Sequence, residues 1–335
     1  MARNQRSADD QWMPKRVYRG KSAYEWHPKG GGAVRLCALG ANPSEVWCAY
    51  EKAVAETKTR FDFAALAGMY FSSPSFTKLK LNTRKDYERG KKLLLAVFGN
   101  MPPASIKPMD VRRYMDERGK SSTVRANRER SLLSTIMGWG FERGLVAANP
   151  CAGVRTFEEK ARQRYVSDEE LAAVLAIMPP AFQAAAQISY RCGARQQDVL
   201  ALERSQIRDT GLYIRQGKTD KAQIKEWSIE LRAAVNLAMA QPSKVQSIKW
   251  IIYNRAGQRY TESGFKGMWR KYIQRAIEKE LISEPFTFHD LKRKGISDFE
   301  GDKQRFSGHK TKAMADRYNV KPELVPTIGT AEIRD

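Results

Sequence analysis

Strand-like alternation is confined to two short stretches of this 335-residue chain, and that confinement limits the folds open to it. In RVYRGKSAYEW, from Arg16, Tyr18, Tyr24 and Trp26 share one parity and Val17, Arg19, Lys21 and Ala23 the other. Alternate strand residues line one face, so this pattern predicts a strand, or a hairpin broken at Gly20. A turn at HPKGGG and a short strand at AVRLC follow. The second stretch, GLYIRQ and IKEWSIE flanking GKTDKAQ, predicts a β-hairpin with Lys218 at the start of its turn. From 61 to about 155 the apolar spacing is helical only. A chain too long for one ordinary domain therefore divides into a small sheet unit, an all-helical unit and a mixed, mainly helical unit.

Local signals set the expected boundaries. Residues 1–14 are polar and aperiodic, and disorder is expected. Residues 15–57 would hold a small three-stranded sheet and a helix opening at Pro43 with Ser44 as its cap, around Trp12, Trp26 and Trp47. Residues 60–155 would form a helical bundle: FAALAGMYF; TRKDYERGKKLLLAVFG, with Tyr87, Leu94, Val97 and Phe98 on its apolar face; KPMDVRRYMDERG; and SSTVRANRERSLLSTIMGWGFERG. The charged segment 156–166 reads as a linker. In 167–320, Ser167 caps SDEELAAVLAIM, AFQAAAQISYRCG ends at Gly193, RQQDVLALERSQI is the next helix, and helices are expected at 231–240, 261–280, 287–299 and 310–318. Residues 321–335 are a tail.

Charge narrows the partners. Lys and Arg number 59 against 37 Asp and Glu, a net +22, the balance of a polyanion binder. From Lys78 to Arg130 there are 15 basic and 6 acidic residues, a difference of +9. Arg84, Lys85, Lys92, Arg112, Arg113, Arg125 and Arg128 lie on the polar faces of these helices, where phosphate contact explains so dense an excess of one sign. Tyr18 and Tyr24 would pack in the small sheet or face the polyanion. No apolar run or basic amphipathic anchor favours a membrane, and the N-terminus has no secretory pattern. The scattered Cys37, Cys48, Cys151 and Cys192 form neither a disulfide framework nor a ligand set, which fits a reducing cytoplasm, and Cys192 reads as core.

The chemistry concentrates in the last fifty residues. Two of the three histidines lie there: His289 in FTFHDLKRK, and His309 in FSGHKTKAMADRY, which ends at Tyr318. Arg195 in CGARQQDVLAL and Lys218 in the hairpin complete the set. Cutting a phosphodiester without metal needs an in-line nucleophile, cations for the pentacoordinate intermediate, an acid for the leaving oxygen and a base for the nucleophile. A tyrosine among cationic donors meets those needs. No acidic cluster has metal-ligand spacing, and no metal or other cofactor is expected.

These segments resemble the tyrosine recombinase family, the phage integrases of the lambda type, over nearly the whole chain. CGARQQDVLALERSQI matches the first box, GKTDKA the hairpin lysine, FHDLKRK the second box and SGHKTKAMADRY the last. NRERSLLSTIMGWGFERGLVAANPC is similar to the end of the core-binding domain, and the N-terminal sheet, less closely, to the arm-binding domain. The resemblance implies an arm-binding sheet unit, an all-α core-binding bundle and a mixed α/β catalytic domain. It implies a site-specific recombinase that integrates or excises a mobile element, a phage or genomic island, through a 3′-phosphotyrosyl intermediate. Tyr318 would be the nucleophile and Arg195 a phosphate clamp. Lys218 would be the leaving-group acid, His309 a donor to the phosphorane, and His289 an assisting base or positioning donor. Double-stranded DNA at core and arm sites would be the partner of a free monomer that assembles as a tetramer, with DNA-bending and directionality proteins, in a prokaryotic cytoplasm at the nucleoid. The tail, with Val320, Leu324, Val325 and Ile328, would pack on a neighbouring protomer or be a disordered end.

The chain departs from the family's second box, His-x-x-Arg, because position 292 is Lys and Arg293 follows. Three readings compete: Lys292 replaces the arginine, which is favoured here; Arg293 does so after a slight rotation; or activity is impaired. Asp198, three residues after Arg195, would support it or form only a surface pair. The rival functions are a type IB topoisomerase and a DNA-binding architectural or regulatory protein that no longer cuts.

Overall fold

The computed structural model describes residues 10–28, 32–59, 61–160 and 162–322, together with Val325 and Ile328. The chain divides between Lys160 and Ala161 into two compact units.

The first unit contains two separate apolar cores. Strands β1 (Val17–Arg19), β2 (Ala23–Trp26) and β3 (Val34–Ala38) form an antiparallel sheet in that order, with Val17 opposite Trp26 and Trp26 opposite Val34. Helix α1 (Pro43–Thr59) covers it through Val46 and Ala53. Asn42, not Ser44, caps α1: the Glu45 amide donates to Asn42 Oδ1 at 2.9 Å, and the Asn42 amide to Glu45 Oε2 at 2.9 Å. Asparagine reaches the free amides of a first turn from outside the helix, which a residue already inside it cannot do. Residues 10–14 are not the disordered segment expected. Met13 is buried in this core and Trp47 Nε1 donates to the Trp12 carbonyl at 2.9 Å, while residues 1–9 lie outside the described residues. Tyr24 is buried and Tyr18 is exposed.

The second core belongs to helices α2 (Phe63–Phe71), α3 (Pro74–Thr77), α4 (Leu81–Phe98), α5 (Pro108–Gly119) and α6 (Thr123–Phe141). Asp62 caps α2 and Ser122 caps α6. On α4, Leu94 and Phe98 are buried as expected, but Val97 points outward. Gly90 is the third buried residue of this helix, and a Cβ there would meet Leu132 at 2.8 Å.

In the second unit, α7 (Asp168–Ala176) opens with a capping box: the Glu170 amide donates to Ser167 Oγ at 3.2 Å and the Ser167 amide to Glu170 Oε2 at 3.0 Å. Helix α8 (Pro180–Cys192) follows, ended by Gly193. The single helix expected over RQQDVLALERSQI is instead α9 (Gln196–Leu200) and a short 3-10 turn at Arg204–Gln206. The backbone around Leu202 and Glu203 pairs with the segment near Trp250, which breaks the helical run. Strands β4 (Gly211–Arg215) and β5 (Ala222–Glu226) form the hairpin, with Gly211 opposite Glu226 and Arg215 opposite Ala222. Helices α10 (Ile229–Met239), α11 (Glu262–Glu278) and α12 (Phe288–Asp298) complete the core. The helix expected at 310–318 is only α14 (Lys312–Asp316), preceded by the unexpected α13 (Lys303–Ser307). Val325 and Ile328 are exposed, and Leu324 lies outside the described residues. Among the described residues, no helix is long and apolar enough to cross a membrane.

Candidate active site

Helix α12 carries the centre of the site. It starts at Thr287, whose amide donates to Asp290 Oδ2 at 2.8 Å. It packs so closely on α8 that a Cβ at Gly295 would lie 2.0 Å from the Tyr190 carbonyl oxygen. Its amphipathic pattern turns His289 and Lys292 toward Tyr318, which follows α14. His289 Nε2 lies 3.3 Å from the Tyr318 hydroxyl. The His309 ring is 4.6 Å from the Tyr318 ring, centroid to centroid, and Lys292 Nζ is 5.7 Å from that centroid. Ser297 holds the backbone beside the tyrosine: its Oγ donates to the Tyr318 carbonyl at 3.2 Å and accepts from the Val320 amide at 2.9 Å. Lys303 Nζ bridges the Ser297 carbonyl, at 2.8 Å, and Asn319 Oδ1, at 3.0 Å.

Lys292 is fully buried, and its Nζ hydrogen-bonds no protein atom among the described residues. Burial and then the charge of Arg195 push its pKa down to about 7, with smaller contributions from Lys225 and Lys218 and a partial offset from Asp198. Arg293 sits at the edge instead. Its guanidinium donates to the Arg162 carbonyl, and its Cζ is 5.7 Å from the Tyr318 ring. His309 is buried; burial, Lys292 and Arg195 push its pKa down to about 4. Its Nδ1 lies 2.7 Å from Ser307 Oγ, and its Nε2 has no protein partner among the described residues. His289 is also pushed to about 4, by burial and by Arg293 and Lys292. Burial is the larger of these causes, and the neighbouring cations add to it. Both histidines are therefore neutral at neutral pH.

Arg195 stands at the N-terminal boundary of α9, and its guanidinium donates to Gln216 Oε1 at 2.7 Å. Asp198 lies 3.9 Å from it, and is tied more tightly to the hairpin: its Oδ1 accepts from the Gly217 amide at 2.8 Å. Lys218 sits in the turn between β4 and β5, exposed, and its charge reaches both Lys292 and His309. The turn after α13 needs a left-handed residue, Gly308 at φ 66°, where a Cβ would meet Gln216 Nε2 at 2.3 Å. Arg195, Lys218, His289, Lys292, His309 and Tyr318 thus come together, with Arg293 at the margin.

Several contributors escaped sequence reasoning: Gln216, Ser297, Lys303, Ser307 and Lys225, whose ammonium donates to the Phe306 carbonyl. Polar residues at unremarkable positions carry no motif. The alternation of β5, which places Gln223 and Lys225 on one face, was the only available signal.

On the helical bundle the seven basic candidates divide. Lys85, Lys92 and Arg113 are exposed. Arg84 lies over Phe76, Arg125 pairs with Asp86 at 2.9 Å, and Arg128 with Glu159 at 3.5 Å. Arg112 is committed to Asp116 at 2.6 Å and to the Arg155 carbonyl at 3.1 Å, a bracing role within the bundle.

Residues 164–323 match the model of the phage integrase family. That stretch is a phage integrase domain. A lambda integrase dimer bound to a COC′ core site superposes with a TM-score of 0.66 at 18% identity, covering 99% of this chain and 100% of that one. A lambda integrase tetramer bound to a Holliday junction gives 0.68 at 17% identity, covering 96% and 99%. The Tn1549 transposon integrase in complex with circular intermediate DNA gives 0.63 at 13% identity, covering 78% and 96%. These likenesses establish the integrase fold, sheet unit included. No curated protein matches the sequence.

Proposed function

We propose that this protein is a site-specific DNA recombinase that cuts and rejoins strands through a 3′-phosphotyrosyl link at Tyr318, integrating or excising a mobile element. The observation that carries this reading is the Tyr318 hydroxyl, 3.3 Å from a neutral imidazole and beside a buried lysine whose Nζ has no hydrogen-bond partner among the described residues. The Tyr318 oxygen attacks phosphorus as His289 takes or orients its proton. The P–O bond to the tyrosine forms while the bond to the 5′ oxygen breaks, and Lys218 supplies the proton to that leaving oxygen. Arg195 and Lys292 hold the non-bridging oxygens. His309 donates from Nε2 when Ser307 Oγ donates to its Nδ1, the tautomer that leaves Nε2 protonated. Reversal by a second 5′ hydroxyl reseals the strand.

The exposed cations of the bundle would contact core-site phosphates, and the sheet unit at 15–57 would bind arm sites. That related structures contain DNA, in one case as a tetramer on a Holliday junction, supports duplex DNA as substrate and a tetramer as the working assembly.

The test is a nicked suicide substrate in chelator, with wild type beside Tyr318→Phe. A covalent adduct with wild type alone is expected. Because Lys292 loses charge near neutrality in the free protein, a non-cleaving DNA-binding role is the second reading. DNA binding without a Tyr318-dependent adduct would establish that role and sink the first.

A further inference from the structure

We infer that Gln216 is a positioning residue that locks the Lys218 hairpin, Arg195 and the His309 turn into one geometry. The inference rests on the strand-cutting function proposed above. Gln216 lies at the base of the hairpin turn and is buried, 5% exposed. Both ends of its amide are used. Oε1 accepts from Arg195 at 2.7 Å and from Thr219 Oγ1 at 2.9 Å, and Nε2 donates to the Ser307 carbonyl at 2.9 Å. Its own backbone closes the turn: the Gln216 amide donates to the Lys221 carbonyl at 2.9 Å, and its carbonyl accepts from the Asp220 amide at 2.8 Å.

Three segments far apart in sequence therefore meet on one side chain. Arg195 is 21 residues upstream and Ser307 is 91 residues downstream. Ser307 in turn contacts His309 Nδ1. The amide suits this post because it is neutral. A carboxylate there would pair with Arg195 and compete with phosphate for it, and a hydrocarbon would leave the part-buried guanidinium with only Asp198 at 3.9 Å and take the Nε2 donor from the Ser307 carbonyl. The space is also closed on the other side, since a Cβ at Gly308 would strike Nε2 at 2.3 Å. Lys218 sits two residues along the turn, so a shift of Gln216 moves the acid and the phosphate clamp together.

The experiment measures the single-turnover rate of adduct formation at saturating suicide substrate, with DNA Kd and melting temperature measured in parallel. Gln216→Leu is expected to slow adduct formation by about 10²-fold, the scale of a displacement near 1 Å in a reacting group, while Kd stays near the wild-type value. A second substrate carries sulfur in place of the bridging 5′ oxygen at the cut. Its thiolate leaves without protonation, so the part of the loss that comes from misplacing Lys218 should be recovered. An unchanged rate for Gln216→Leu, a Kd increase that accounts for the whole loss, or no recovery on the sulfur substrate would each overturn the inference. If Gln216→Leu fails to fold, Thr219→Val breaks only the hairpin side of the link. It should slow adduct formation by about 2–10-fold, the equivalent of one hydrogen bond, with full recovery on sulfur; no loss would overturn the inference. Absence of adduct from wild type would instead refute strand cutting itself, and this inference with it.

Discussion

Lys292 and Lys294 are both completely buried and stand two residues apart on one helix, yet the two faces of α12 treat them in opposite ways. Two residues turn a helix by about 200°, so the side chains point to opposite sides. Lys294 meets Asp168 at 2.7 Å, Asp298 at 3.0 Å and the Tyr165 hydroxyl at 3.3 Å. Burial opposes its charge, but those partners outweigh it and hold its pKa above the usual lysine value. Lys292 is buried with more cations than anions nearby and has no hydrogen-bond partner among the described residues, and its pKa falls. A paired buried charge braces the fold, whereas an unpaired one is a site prepared for an anion, held at a cost in stability.

The sharpest way to break this comparison is to remove each lysine in turn. Lys294→Met should destabilise the protein by on the order of 3 kcal/mol, because Asp298 loses its main counter-charge. Lys292→Met should leave stability unchanged or raised while abolishing the covalent adduct. Denaturant melts and adduct assays on both variants check this, and equal stability losses would erase the distinction.

The next prediction concerns pH. Lys292 carries its charge below about 7 in the free protein and loses it above. Adduct formation at subsaturating DNA should therefore fall as pH rises through neutrality. Lys292→Arg, which keeps its charge, should hold a flat profile there with activity equal to wild type or higher. A severe loss in Lys292→Arg would show a geometry specific to lysine.

Acid should weaken the fold as well. The unfolded chain protonates His309 and His289 near 6.5, but the folded state resists until about 4. The unfolded state binds more protons in that window, so stability is lost as pH falls from 6.5 toward 4. The melting temperature should drop across that range and drop less in His309→Gln. Ser297→Ala carries the smallest expected change in stability, about 1 kcal/mol for its hydrogen bonds to the Tyr318 segment. Its adduct rate should fall by more than its DNA affinity, since what loosens is the nucleophile.

Much of the architecture was legible in sequence. Period-two alternation located both sheets, and Ser167 followed by three acidic residues announced α7. The failures have specific causes. The run after Arg195 has helical spacing, but pairing near Leu202 and Trp250 overrode it. Val97 fits an apolar stripe, but the buried face of α4 runs through Gly90, Leu94 and Phe98, and Val97, about 100° round the helix from Phe98, is left exposed. The bonds of Arg112 to Asp116 and to the Arg155 carbonyl, 43 residues away, were not legible either.

By itself the sequence determined which residue types were available for phosphoryl chemistry and in what order: Arg195, Lys218, His289, His309 and Tyr318, with lysine where the family has arginine. Spacing along a chain can do that because motifs are local. Which cation is buried beside the tyrosine was decided only in three dimensions, since Lys292 and Arg293, both 5.7 Å from the Tyr318 ring, differ by a rotation of about 100° on the helix. Packing of α12 against α8 set that rotation, burying Lys292 and leaving Arg293 to the Arg162 carbonyl. Gln216 belongs to the same category: its role comes from hydrogen bonds that span 21 and 91 residues, and no local pattern encodes such a meeting.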